Sequence, residues 1–208
     1  MASPDSERLQ KTRAFFASRA ATWDAKFGDD MPAYAAAVAE AELPPGALVA
    51  DIGCGTGRAL PALRAAVGPA GAVLALDATP EMLRVAAVRG AGGAASLIVA
   101  DALRLPLADR ALGAIFAAGL LMHLPDPAAA LVELARVTDE PGVLILFHPS
   151  GRAALAARHG RELPADDTLA CTVLTPLLSA TGWRLRSYDD AAHRFLAVAE
   201  RVRGTVAE

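Results

Sequence analysis

Val49-Ala50-Asp51-Ile52-Gly53-Cys54-Gly55-Thr56-Gly57-Arg58 decides the fold of this chain. An apolar segment, 47–50, runs into an aspartate and then into three glycines at alternate positions. A buried strand that stops at a glycine-rich turn and restarts as a helix is how α/β proteins hold a nucleotide-like ligand. The glycines let the backbone approach a ligand where a Cβ would collide. A helix expected from about Arg58 aims its free N–H groups at the same place. The spacing G-x-G-x-G departs from the dinucleotide fingerprint G-x-G-x-x-G, and an acid stands two residues before the first glycine. That carboxylate repels a pyrophosphate and suits a cationic or amine-bearing ligand.

Working outward, the bulk properties fit such a sheet. The 208 residues are enough for one domain with a real core. Hydrophobic residues make up 54% of the chain, as expected of a sheet covered on both faces by helices. Net charge is −3 with acids and bases interspersed, so no electrostatic footprint for nucleic acid is present. Cys54 and Cys171 lie far apart without metal-type partners, and no metal is expected. The polar stretch 1–12 does not read as a signal peptide, and Arg, Asp, Gly or Pro interrupts every apolar run. The expectation is a cytoplasmic protein, monomer or homodimer, with no membrane partner.

Before residue 43 the chain reads as helical, over 7–17 and 32–42, with a connector carrying Trp23 and Phe27. This segment, 1–43, is expected to form a helical cap on a domain spanning 44–208. Pro44-Pro45-Gly46 launches the first strand, after which strands and helices alternate. Strands are expected at 72–76, 96–100, 114–118 and 143–147, the last entered through a Pro141-Gly142 turn. Thr79-Pro80-Glu81 and Asp126-Pro127 mark helix starts, with a further helix over 168–180. Two final strands, 183–188 and 194–199, are joined by a connection too short for a parallel crossover, so they pair antiparallel.

The first three strands each run into an aspartate: 51, 77 and 101. In a parallel sheet these positions share one edge, facing the ligand crevice. A lone aspartate at a strand end is ordinarily a cap or turn residue. Three in register with a glycine turn point to a ligand instead. Asp77, some 20 residues past the last glycine, suits the two hydroxyls of a ribose. Asp101 suits an exocyclic adenine amine, and Asp51 an ammonium group. Ribose, adenine and amino acid together describe S-adenosylmethionine better than a dinucleotide.

On V-A-D-I-G-C-G-T-G-R (49–58), L-A-L-D-A-T-P-E-M-L (74–83), A-D-A-L-R-L-P (100–106), L-M-H-L-P-D-P (121–127) and P-G-V-L-I-L-F (141–147), the chain resembles the class I S-adenosylmethionine-dependent methyltransferases. The ubiquinone/menaquinone-biosynthesis type is the closest in style. The resemblance implies an α/β fold with a doubly wound, seven-stranded, mostly parallel sheet of order 3-2-1-4-5-7-6, strand 7 antiparallel. It also implies that Asp51, Gly53, Cys54 and Gly55 line the methionine portion of S-adenosylmethionine, Cys54 as a small filler, and that Gly57 permits the turn. Asp77 then holds the ribose, Ala78 and Met82 pack the adenine, Asp101 and Ala102 meet its edge, and Gly119 lies near the sulfonium.

Methyl transfer needs a base only when the acceptor has a proton to lose. His148, directly after the fifth strand, and His123, after the fourth, are the candidate catalytic residues. Trp23 and Arg19, with Phe16 and Phe27, are candidates for a lid touching the acceptor, and Arg152 for binding an anionic group on it. The function expected is methylation of a small-molecule O, N or C nucleophile, in a bacterial secondary-metabolism setting suggested by the Ala/Arg-rich composition. The alternatives are an NAD-dependent oxidoreductase, disfavoured by the glycine spacing and by Asp51 and Asp101, or a non-catalytic S-adenosylmethionine-binding protein.

Overall fold

Leu48–Ile52 forms β1, the strand on which the rest of the molecule is arranged, in a computed structural model that describes residues 4–26 and 29–202. Two helices precede it, α1 (Pro4–Ala17) and α2 (Met31–Glu40). There follow α3 (Leu60–Val67), β2 (Ala72–Asp77), α4 (Pro80–Val88), α5 (Ala91–Ala94), β3 (Ser96–Val99) and β4 (Leu112–Ala118). The chain continues through α6 (Pro127–Val137), β5 (Thr138–His148), α7 (Arg152–Arg158), α8 (Cys171–Ala180), β6 (Trp183–Ala191) and β7 (Arg194–Arg201). The seven strands form one sheet in the order β3-β2-β1-β4-β5-β7-β6. Pairing is parallel from β3 through β5, and β7 runs antiparallel to both of its neighbours. The expected order and the reversed seventh strand are both present.

Between β2 and β4, β1 marks the point where the winding reverses, which opens a crevice beyond the carboxyl ends of these strands. Apolar side chains cover both faces of the sheet. On one, Leu131 and Leu134 of α6 and Leu174 and Leu178 of α8 pack around Trp183. That indole is buried and donates its Nε1–H to the Leu131 carbonyl at 3.0 Å, so its one polar atom is satisfied. On the other face, Val38 of α2, Leu60 and Leu63 of α3, and Leu83 and Ala86 of α4 meet Phe116 and Phe147. No described helix is long and apolar enough to cross a membrane.

Several boundaries differ from the sequence expectation, each for a local reason. Asp51 lies within β1 rather than just past its end, because Ile52 still pairs with Leu76 of β2. Arg58 remains in the turn, and α3 begins at Leu60. The strand expected to start at Val143 starts at Thr138 instead. A register shift between Leu112 and Ala114 of β4 absorbs Pro141-Gly142 without ending the ladder. Pro176 sits inside α8, which begins at Cys171. Asp126 caps α6 as expected, accepting from Ala129 N–H at 2.9 Å, but the Thr79 side chain does not cap α4.

Candidate active site

Strand β1 delivers Asp51 to the crevice as a nearly fully buried carboxyl, 2% exposed, whose Oδ1 has no hydrogen-bond partner. Burial, with a further push from the charge of Asp77, raises its pKa to about 8. The turn that follows is pinned to β2: Gly53 and Cys54 both donate their N–H to the Leu76 carbonyl, at 2.8 and 3.0 Å. Gly53 has φ +72°, and a Cβ there would stand 3.0 Å from Leu120 Cδ1. Gly55, at φ +53°, has nothing within 4 Å on its Cβ side, so the turn is open where a ligand would rest. Cys54 is buried between them, and burial drives its thiol pKa well up. It is a neutral filler rather than a nucleophile.

Asp77, at the end of β2, faces this turn across the crevice. Its Oδ2 accepts from Gly55 N–H at 2.9 Å and its Oδ1 from Thr79 N–H at 2.7 Å. Burial raises its pKa, and the hydrogen bonds from Thr79 and Gly55 partly oppose the shift. The Thr79 backbone is thereby used to hold Asp77, which explains the missing side-chain cap. Met82 is fully buried behind Ala78 on α4. Past β3, Asp101 closes a local turn by accepting from Leu103 N–H at 3.0 Å, with Ala102 buried beside it.

At the other end of the crevice, Gly119 follows β4 with φ +63° and donates its N–H to the Phe147 carbonyl at 2.8 Å. The Cδ2 of His148 lies 3.7 Å from where a Gly119 Cβ would stand. The Nδ1 of His148 is 2.9 Å from the Ser150 carbonyl and 3.1 Å from Ser150 N–H. Burial lowers the His148 pKa from its ordinary value. His123 is lowered too, by burial and by the charge of His148. Its ring packs edge-on against Phe16 at 5.0 Å, and Phe16 in turn against Trp23 at 5.3 Å. A small apolar recess opens here among Gly119, Leu120, Leu121, Leu146, Leu169 and Phe195.

The structure therefore gathers Asp51, Gly53, Gly55 and Asp77 at one end of the crevice, and Gly119 and His148 at the other. Phe16, His123 and Trp23 form a connected aromatic group. Arg19 is not part of it: its guanidinium folds back over the Phe15 ring at 3.8 Å and donates to the Phe15 carbonyl. Arg152 donates to Asp190 at 3.0 Å and lies 3.7 Å from Asp167, so its charge is matched within the chain. Phe27 lies outside the described residues.

Sequence reading missed a second set of residues. Arg58, 6% exposed, donates its Nε to Asp30 at 2.6 Å and its Nη1 to Asp24 at 3.0 Å, while Thr56 Oγ1 donates to Asp24 at 2.7 Å. Tyr34 of α2 packs on Phe147 at 4.9 Å, and burial together with Asp30 pushes its hydroxyl pKa well up. The one available signal was a cation directly after a glycine turn, which needs an anionic partner once buried.

A methyltransferase domain family matches residues 50–146. The ubiquinone/menaquinone biosynthesis C-methyltransferase of Bordetella avium is 31% identical over 207 residues, covering 96% of this chain and 76% of that protein. This chain belongs to the class I S-adenosylmethionine-dependent methyltransferases. That membership replaces the oxidoreductase alternative and makes S-adenosylmethionine the methyl donor. A solved methyltransferase from Aquifex aeolicus is 25% identical, with a TM-score of 0.66 over 79% of this chain and 87% of that one. An uncharacterized Streptomyces fradiae transposon protein is 36% identical over 106 residues, which are 50% of this chain and 31% of that protein. The chain thus spans under a third of one relative's length and three quarters of another's.

The residues of this methyltransferase fit its donor. An orphaned, buried carboxyl oxygen on Asp51 calls for a cation, and S-adenosylmethionine brings an ammonium group. The open face over Gly55 leaves room for that end of the molecule.

Proposed function

We propose that this methyltransferase acts on a protic, largely apolar small molecule bound beside Gly119, with His148 taking up the acceptor's proton. The observation that carries the reading is the placement of His148. Its imidazole stands at the carboxyl edge of β5, beside Gly119 and adjoining a recess lined by apolar side chains. When Nδ1–H donates to the Ser150 carbonyl, Nε2 keeps its lone pair and is the basic nitrogen. The lowered pKa keeps the ring neutral at pH 7, ready to accept a proton.

S-adenosylmethionine supplies an electrophilic methyl group, and the chain's own residues do the rest. Asp51 pairs with the ammonium and Gly53, Cys54, Gly55 and Gly57 shape the cradle. Asp77 receives the ribose hydroxyls in exchange for its Gly55 contact. Ala78, Met82, Asp101 and Ala102 flank the adenine. The segment 1–43 acts as a cap that excludes water, with Phe16, Trp23 and His123 at the acceptor's entrance and Arg19 at its outer rim. Arg152 acts by holding α7 to Asp190 and Asp167 rather than by binding an anion.

The test is a screen of phenols, amines and quinones with product mass measured, which also reads out whether the role is in secondary or quinone metabolism. With an acceptor in hand, His148→Gln is expected to lower kcat by about 10²–10⁴-fold. Wild-type kcat should fall only below pH 6.5, as the ring protonates, and stay level above it. Unchanged turnover in His148→Gln would remove the base from the mechanism.

A further inference from the structure

We infer that Asp24 is a positioning residue for the cofactor turn, so that closure of the N-terminal segment and retention of the donor are one equilibrium. The inference rests on the S-adenosylmethionine reading above. Asp24 belongs to a 3-10 turn, Asp24–Lys26, between α1 and α2. Its Oδ1 accepts from Thr56 Oγ1 at 2.7 Å and from Arg58 Nη1 at 3.0 Å, and its Oδ2 from Arg89 at the end of α4. One carboxylate of the cap thus joins the cofactor turn to the helix that follows β2.

Thr56 and Arg58 flank Gly57, the last glycine of the turn, and both are buried, at 2% and 6% exposure. A guanidinium so enclosed is stable only when met by anionic partners. The partners seen, Asp24 and Asp30, both come from residues before β1. If the cap lifts, Arg58 loses that compensation and Thr56 loses its acceptor. The turn is therefore gripped from two sides, with Asp77 of β2 holding Gly55 N–H and Asp24 of the cap holding Thr56. Donor and acceptor sites are coupled through the same segment, because it also carries Phe16 to the face of His123. By linkage, whatever fixes the turn favours the closed cap, and the closed cap favours the turn.

Titration of S-adenosylhomocysteine into wild type, Asp24→Asn, Thr56→Val and the double variant tests this without an acceptor. It is run at a temperature where melting curves show every variant folded. Both single variants are expected to bind about tenfold more weakly, the size of one charge-assisted hydrogen bond. The double variant should be no worse than the weaker single, because the two changes break one contact. A merely structural role lowers the melting temperature without moving the dissociation constant. Dissociation constants within twofold of wild type, or fully additive losses, would therefore overturn the inference. Absence of binding by wild type would instead overturn the cofactor reading, and this inference with it.

Discussion

A carboxyl that is buried, unpartnered and crowded by a second acid costs stability, and Asp51 is such a group. With a native pKa of about 8 and an ordinary unfolded value, it is neutral when folded and charged when unfolded across the interval between them. The native state then binds the extra proton, so this residue's contribution makes stability fall as pH rises from about 4 to 8. Asp51→Asn removes that dependence. The variant is expected to be more stable than wild type at pH 8, by ~1–3 kcal/mol, with the gap narrowing towards pH 5. Melting curves at the two pH values check it. The same variant should bind S-adenosylhomocysteine at least tenfold more weakly, since an amide offers the ammonium no charge. Binding to wild type at pH 7 should release a proton, visible as calorimetric heats that vary with the buffer's ionisation enthalpy. A variant that is both less stable and equally tight would refute the assignment of Asp51 to a cation.

Among the elements, the α7 start and the β6–β7 hairpin are pressed together at Gly151. A Cβ there would lie inside the Ala191 carbonyl oxygen and 2.9 Å from its carbon. Both are backbone atoms, so no side chain can swing away. Gly151→Ala is expected to cost ~1–3 kcal/mol by overpacking. It should also disturb Ser150, on which His148 is oriented, while leaving Asp51 and Asp77 untouched. Turnover should therefore fall with the dissociation constant for S-adenosylhomocysteine unchanged; an equal loss of both would show that the two ends of the crevice are not separable. This contact was not legible in the sequence, where residues 149–167 offered no periodicity and Ala191 stands 40 positions away. The sheet was legible because each parallel strand carries an apolar run closed by an aspartate or glycine, and a short final connection forces antiparallel pairing. The start of β5 was hidden because Pro-Gly chemistry signals a turn, whereas here a register shift keeps the ladder intact. The cofactor side of the site was readable from local spacing. The Asp24–Thr56–Arg58 cluster, 32 to 34 residues apart in sequence, was not, because only the fold brings those charges together.

At the scale of the whole molecule, the crevice is assembled from parts that share no local contacts. β1 and β2 supply its acids, the segment before β1 closes one wall, and the ends of β4 and β5 supply the other. A ligand that touches all three should stabilise the chain as a unit rather than one element. At a free concentration of 100 times its dissociation constant, S-adenosylhomocysteine is expected to add about 2.7 kcal/mol to the unfolding free energy. For a domain of this size that corresponds to a rise of roughly 5–10 °C in Tm. NADH should leave the transition where it is, because Asp51 opposes its pyrophosphate. The shift should appear as one cooperative transition, monitored both by Trp183 in the α6–α8 layer and by Trp23 in the cap. If Trp183 fluorescence shifts with ligand while Trp23 does not, the cap is not part of the binding unit, and the mutual support between the turn and the residues before β1 fails with it.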